Sequence, residues 1–260
     1  MKIKYLGTCS GTEPMAGMHH TSLIIESGDG LYWFDAGENC AHAAYTGGVD
    51  MMKMRALFIS HPHMDHVGGL ANLLACIRKI TYRYKLKLYA DNTLHVFFPG
   101  LSLFEAIKTL ACSGGKGKFG IEMIENEMRD GVIYEDENVR VSAIHNRHLG
   151  EDGTNGWHSY SFLIEGEGKR SVCSGDVKDP AELDSFTSGG CDLLIHETGH
   201  HAVSDVCDYA EKMGVKSLRF THHGRAIIEK RDEEEAFVKD FAERCGIPAL
   251  ICYDGMTEEV

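Results

Sequence analysis

The chain has 260 residues, 43% of them apolar, with 29 glycines and 5 prolines. That is enough to bury one large core, expected as a single domain over residues 1–260, and no apolar run reaches membrane-spanning length. The net charge of −13 argues against a surface built to grip long nucleic acid, though it leaves room for a cationic cleft. The 9 cysteines are scattered with no C-x-x-C pair, which points to free thiols in a reducing compartment. The opening Met1-Lys-Ile-Lys-Tyr-Leu-Gly7 is too short an apolar run for a secretory leader. A cytoplasmic location is therefore expected.

Residues 2–7 alternate as a strand and give way to a turn-rich loop over Gly7–Thr12. Ser22–Glu26 and Leu31–Phe34 read as two strands joined by Ser27-Gly-Asp-Gly30. Asp35, just past the second of these, can reach into a cleft or stabilise its own turn. Residues 41–55 read as helical, and Ala56-Leu-Phe-Ile59 as a buried strand. Gly68–Ile80 follows as a helix, with apolar residues at 70, 73, 74, 77 and 80. In Tyr82–Tyr89, basic and aromatic residues interleave; an amphipathic strand with a solvated lysine face is preferred there over a nucleic-acid surface. Thr93–Ala111 reads as one helix. Ser113–Gly120 is glycine-rich but is fed by no strand and lacks a Lys-Ser/Thr pair, so a loop is expected; its lysines could reach an anionic substrate.

Further strands are expected over residues 138–144, 160–165, 170–173, 192–195, 217–221 and 249–252. Helices are expected around Val206–Met213 and Phe237–Cys245.

Between the strand ending at Ile59 and the helix opening at Gly68 lies His61-Pro-His-Met-Asp-His66. Ligand-type side chains at four positions in six residues, on a loop, suit a divalent first-row metal. Other chemistry-bearing residues, His148, Asp176, His196 and His222, also follow apolar strand-like runs. Strand ends in layered α/β folds gather along one edge.

The motif His-x-His-x-Asp-His, with Tyr5-Leu-Gly-Thr8, Thr21-Ser-Leu-Ile24, Phe34-Asp-Ala-Gly-Glu38, Asp192-Leu-Leu-Ile-His-Glu-Thr198, Thr221-His222 and Asp254-Gly255, resembles the metallo-β-lactamase superfamily in its ribonuclease Z-like branch. The resemblance implies an α/β fold, a four-layer αββα sandwich, with two divalent metals at one edge: zinc first, manganese or iron otherwise. It implies that His61, His63 and His148 hold one metal, that Asp65, His66 and His222 hold the other, and that Asp176 bridges them. His145 competes with His148, and His223 with His222; His148 and His222 are preferred. The two metals would share a hydroxide that attacks the substrate. Asp65 would orient or deprotonate the water, and His200 would assist the leaving group. Asp35, His196 and Glu197 are expected to support these groups, the last two by orienting His200.

Ribonuclease Z carries a long, basic, Gly/Pro-rich arm that grips tRNA, and no such stretch stands between His148 and Asp176. His19-His20 stand where that family has Arg-Asn. The expected function is thus a dinuclear phosphodiesterase for a small phosphodiester, a cyclic nucleotide or short oligonucleotide. The alternatives are a tRNA 3′-processing endoribonuclease, a thioester or lactone hydrolase, and a metal-binding interaction module. A flavodiiron role is disfavoured by His63, where that chemistry needs Glu. A homodimer is compatible with the resemblance.

Overall fold

The computed structural model describes residues 1–11, 15–114, 117–154 and 156–260. Thr12, at the end of the first turn-rich loop, and Lys116, one of the lysines of the glycine-rich loop, lie outside them.

Strands β1 (Lys2–Gly7), β2 (Ser22–Ser27) and β3 (Gly30–Phe34) form an antiparallel meander. Helix α1 (Cys40–Thr46) leads to β4 (Met54–Phe58). Helices α2 (Met64–Val67) and α3 (Leu70–Arg78) lead to β5 (Thr93–Phe98), and α4 (Leu101–Ala111) leads to β6 (Glu122–Glu127). A second meander comprises β7 (Gly131–Glu135), β8 (Val139–Asn146), β9 (Ser159–Gly166) and β10 (Lys169–Cys173). Then come α5 (Asp184–Thr187), β11 (Leu193–Thr198), α6 (Val203–Met213) and β12 (Leu218–His223). The chain closes with α7 (Arg225–Cys245), β13 (Ala249–Ile251) and β14 (Thr257–Glu259).

The strands form two seven-stranded sheets, β14-β1-β2-β3-β4-β5-β6 and β13-β12-β11-β10-β9-β8-β7. Both sheets are built alike: three antiparallel pairings followed by three parallel ones. In this correspondence β3 matches β10 and β4 matches β11. The loops after β3 and β10 carry Asp35 and Asp176; the loop after β4 carries the histidine cluster, and the end of β11 and the loop after it carry Glu197 and His200.

Alternating side chains explain the continuous apolar runs, because each sheet is covered on both faces. Tyr32 and Phe34 of β3 enter the core between the sheets, while Leu31 and Trp33 face the layer shared with α1, α3 and α4. A third cluster joins the other sheet to α5, α6 and α7. Helix, sheet, sheet, helix is the four-layer sandwich expected.

Three expectations change. Residues 41–55 are not one helix: Gly48, at φ +70, breaks the chain after α1, and a 3₁₀ turn over Met51–Lys53 leads into β4. Thr93–Phe98 is a strand, and the helix starts only at Leu101, past Pro99-Gly100 with Gly100 at φ +95. A Pro-Gly pair punctuates the chain at that point. Tyr82–Tyr89 is not a strand either. Lys79–Arg83 continues α3 as a π-helical turn; the Tyr84 and Leu86 amides bond back to Lys79 and Ile80. Its polar backbone is thus satisfied locally, and Tyr82, Tyr84 and Leu86 are exposed beside the lysines instead of buried. Strands β6 and β7, which lack a strong apolar run, were not anticipated. Among the described residues, no helix is long and apolar enough to cross a membrane.

At the centre of the inter-sheet core Phe58 stacks on Phe34 at 4.8 Å and on Phe97 at 5.0 Å. Phe58→Ala is expected to cost about 3–5 kcal/mol. The check is a lower denaturant midpoint with an unchanged slope.

Candidate metal centre

Strand β4 ends at Phe58, and the chain turns across the edge of the sheet. The Ser60 amide donates to Asp35 Oδ1 at 2.7 Å, which binds the β4 exit to the β3 exit. His61 and His63 lie on this loop; Asp65 and His66 lie in the single turn of α2. His148 stands two residues past β8, its amide held by the Asn146 side chain at 3.1 Å. Asp176 follows β10, and His222 lies at the end of β12. His222 has φ +49 and Asp35 φ +54, left-handed backbone that non-glycine residues adopt at a cost. The strain is local to the two strand ends that aim side chains at the site.

Two groups of potential ligand atoms converge, each within 4.8 Å: His61, His63, His148 and Asp176, and Asp65, His66 and His222. In the first, His61 Nε2 lies 3.0 Å from His63 Nδ1, and His148 Nε2 lies 3.2 Å from the same atom. In the second, His66 Nε2 lies 3.1 Å from His222 Nε2, which is 3.2 Å from Asp65 Oδ2. Asp176 faces both. Its Oδ2 is 3.7 Å from His61 Nε2 and 3.6 Å from His148 Nε2; its Oδ1 is 3.3 Å from both His66 Nε2 and His222 Nε2.

This donor set fits divalent metal ions. Ligands around a tetrahedral ion with bonds of roughly 2.0–2.1 Å stand about 3.3 Å apart, close to the separations of these donor atoms. Asp176 Oδ1 is buried and makes no well-formed hydrogen bond, so it lacks the partner a buried oxygen needs.

The outer atoms of the imidazoles are held in turn. His66 Nδ1 meets Asp35 Oδ2 at 2.8 Å, and His61 Nδ1 meets Ser60 Oγ at 3.0 Å. The Gly11 amide donates to Asp65 Oδ2 at 2.7 Å. Such contacts set ring orientation and basicity.

The carboxylates govern the charge. Burial works to lower the His222 pKa, but Asp176, with Asp65 and Glu197, pushes it up to about 9. His66 behaves alike: burial opposes its charge, while Asp176 and Asp35 raise its pKa well above the ordinary value. His61 moves the other way, because burial and the neighbouring imidazoles disfavour its charge. The site therefore attracts cations, and an arriving metal ion would displace protons.

His200 completes the cleft. Its Nδ1 is 3.0 Å from Glu197 Oε1, and its amide donates to Glu197 Oε2 at 2.8 Å. That hydrogen bond raises the His200 pKa against the opposing effect of burial. His200 also falls within reach of Asp176 and His222 as a third potential ligand group. The cleft measures about 490 Å³ and is walled by Ser10, Gly11, His63, Met64, Asp65, His148, Asp176, Gly199, His200 and His222.

The paired alternatives separate cleanly. His145 lies outside the cluster, with Nδ1 2.7 Å from Asp130 Oδ2, while His148 lies inside it. His223 turns away, its Nε2 2.9 Å from the Cys252 carbonyl, while His222 enters the cluster. His196 does not orient His200. It is fully buried, its Nδ1 contacts the Glu197 carbonyl at 2.7 Å, and its ring meets His201. Its position near the end of β11 turns it into the layer behind the cleft, and Glu197 alone holds His200.

Sequence reasoning missed Ser60, although it directly precedes His61. It also missed Gly199, where a Cβ would stand 2.7 Å from His222 Nδ1, so only glycine fits unless the imidazole moves.

The ribonuclease Z of Methanothermobacter thermautotrophicus is 24% identical over 276 residues, covering 85% of this chain and 86% of its own. The metallo-β-lactamase fold protein YhfI of Bacillus subtilis matches with a TM-score of 0.76 at 17% identity, covering 100% of this chain and 99% of its own. The short form of human tRNase Z matches with a TM-score of 0.71 at 17% identity, covering 100% and 99%. The sandwich and its histidine–aspartate edge define a metal-dependent hydrolase of the metallo-β-lactamase fold, similar to ribonuclease Z. Residues 1–242 match the family described as Anti-Pycsar protein Apyc1, and the chain belongs to that family.

His196 supplies a pH test. Burial lowers its pKa from 6.5 to about 4, so it stays neutral in the fold and gains a proton on unfolding between those values. Its contribution is complete above about pH 6.5 and is lost as pH falls toward 4, by as much as ~3 kcal/mol. His196→Gln is expected to flatten that acid limb in thermal melts of the metal-free protein.

Proposed function

We propose that the chain is a dinuclear phosphodiesterase acting on a small phosphodiester such as a cyclic nucleotide. The observation that carries the dinuclear reading is Asp176, with one oxygen toward each histidine cluster. His61, His63 and His148 would hold one ion, and Asp65, His66 and His222 the other, zinc being the first candidate. Ions held there would supply Lewis acidity and make a water acidic enough to attack near neutral pH.

The chain's own groups do the rest. Burial favours the neutral form of Asp65, but hydrogen bonding from His222 and the charge of His66 hold its carboxyl well below the usual range, so it stays ionised. It can orient the attacking water and accept its hydrogen bond. Glu197 fixes His200 through Nδ1, which leaves Nε2 to donate a proton to the departing oxygen. Met64, with 61% exposure at the lip of the cleft, offers an apolar surface to a base.

The curated relatives' names back the other reading, a ribonuclease Z-like endonuclease, better than this one. Three features support the smaller substrate. Between His148 and Asp176 the described residues form a turn-rich loop, tied by a Thr154–Trp157 bridge, and the β9–β10 hairpin, with no projecting arm among them. The aligned ribonuclease Z spans more residues than the part of this chain it covers. The cleft volume falls in the roughly 300–1,000 Å³ range of small-molecule sites.

The test is parallel kinetics with added zinc or manganese on bis-p-nitrophenyl phosphate, cyclic mononucleotides and a precursor tRNA with a 3′ trailer. A higher kcat/KM for the cyclic nucleotide is expected. Preferential cleavage of the tRNA at its 3′ end would establish the endonuclease instead, and activity confined to thioesters or lactones would sink both. For His200→Ala, a kcat lower by about 10²–10⁴-fold with full metal content is expected. Loss of metal would make His200 a ligand rather than an acid.

A further inference from the structure

His148 and Asp176 must sit side by side for the first cluster to close, yet they leave strands that are not neighbours. Strand β9 lies between β8 and β10, so no ladder hydrogen bond joins the two exits directly. Ser159, at the start of β9, pairs with Asn146 in the ladder, and its Oγ lies 3.3 Å from the Asp176 carbonyl, so β9 joins the two exits only at the strand ends.

Beyond the strand ends, the Glu182 carboxylate bridges the two ligand-bearing loops through their backbone amides. Glu182 lies in the 3₁₀ turn Pro180–Leu183, and its side chain is 9% exposed. Its Oε1 accepts from the Arg147 amide at 3.0 Å and from Arg147 Nε at 2.7 Å. Its Oε2 accepts from the amides of Lys178 at 2.9 Å and Asp179 at 3.3 Å. One oxygen holds the residue before His148, and the other holds the segment two residues past Asp176. The Asp179 side chain caps the same turn, accepting from the Ala181 amide at 2.9 Å. The carboxylate is therefore mounted on a fixed support. Charge-assisted bonds to a guanidinium and to backbone amides are the stronger kind.

We propose that Glu182 is a positioning residue of the metal centre: it sets the spacing of His148 and Asp176 and so the affinity of the His61–His63–His148 position for its ion. This role rests on the dinuclear reading above. Glu182 does not touch the cleft and acts only through the two ligand-bearing loops. Its loss leaves the Asp65–His66–His222 position with its own supports, Asp35 and the Gly11 amide.

The experiment measures metal stoichiometry and affinity on the whole chain, with zinc by competition against a chelating dye and with cobalt(II) by its visible absorption. Wild type is expected to bind two ions. Glu182→Ala is expected to weaken one of them by roughly 10–100-fold, the usual size of an outer-shell loss, and to keep the other. Arg147→Ala removes the Nε bond but leaves the backbone amide, so a smaller loss at the same ion is expected. Glu182→Gln still accepts from Arg147 through its carbonyl but cannot accept from Lys178 and Asp179 through its amide nitrogen, so it should fall between. Melting of the metal-free forms serves as the structural control, with closely similar Tm values expected.

Wild-type affinity for both ions in Glu182→Ala overturns the role. So does equal weakening of both ions with a matching drop in metal-free Tm, which marks general destabilisation. If Glu182→Ala fails to fold, Arg147→Ala and Glu182→Gln decide by the same criterion. A wild-type chain that binds no ion overturns the dinuclear reading itself, and this role with it.

Discussion

One buried carboxylate organises the catalytic edge. Asp176 turns one oxygen to His61 and His148 and the other to His66 and His222, and its side chain is only 2% exposed. A carboxylate desolvated to this degree must be compensated by positive charge. Protons on His66 and His222 can supply it, and so can divalent ions. With Asp35, Asp65 and Glu197 close by, the site is a negative well wrapped in imidazoles. The charges that make an empty site attractive to protons are the same charges that favour metal uptake.

The fold brings this about by repetition. Each sheet runs three antiparallel pairings and then three parallel ones, and the exits of the parallel strands meet along one edge. Asp35 and Asp176 occupy corresponding exits but do different work: Asp35 supports His66 and Ser60, while Asp176 faces both clusters. Where the two halves meet most tightly, the backbone departs from the ordinary. His222 takes left-handed φ, and Gly199 gives up a side chain so that the His222 ring can pass.

Much of this was legible beforehand because the informative residues are local. The His61–His66 cluster declares itself within six positions, and buried strands such as Leu193–Thr198 declare themselves by apolar runs. The preference for His148 over His145, and for His222 over His223, matches where the rings fall. What stayed hidden depends on contacts across the chain. Tyr82–Tyr89 alternates like a strand, but its Tyr84 and Leu86 amides close on the preceding turn, and its Leu88 and Tyr89 amides go to Asn92 and Met52. Thr93–Phe98 could be read either way until β4 on one side and β6 on the other decide it. His196 follows the same apolar run that introduces Glu197, and only the pleat of β11 determines which of them faces the cleft. Ser60 and Glu182 have no motif of their own; their roles exist only once distant loops touch.

The last strand, β14, is made by the end of the chain but pairs with β1, inside the sheet otherwise built by the first half. Glu167, from the β9–β10 turn, likewise binds the terminal ammonium of Met1 at 2.6 Å. The halves are thus interlaced rather than merely stacked. A nascent chain could therefore not complete its first sheet until β14 had left the ribosome.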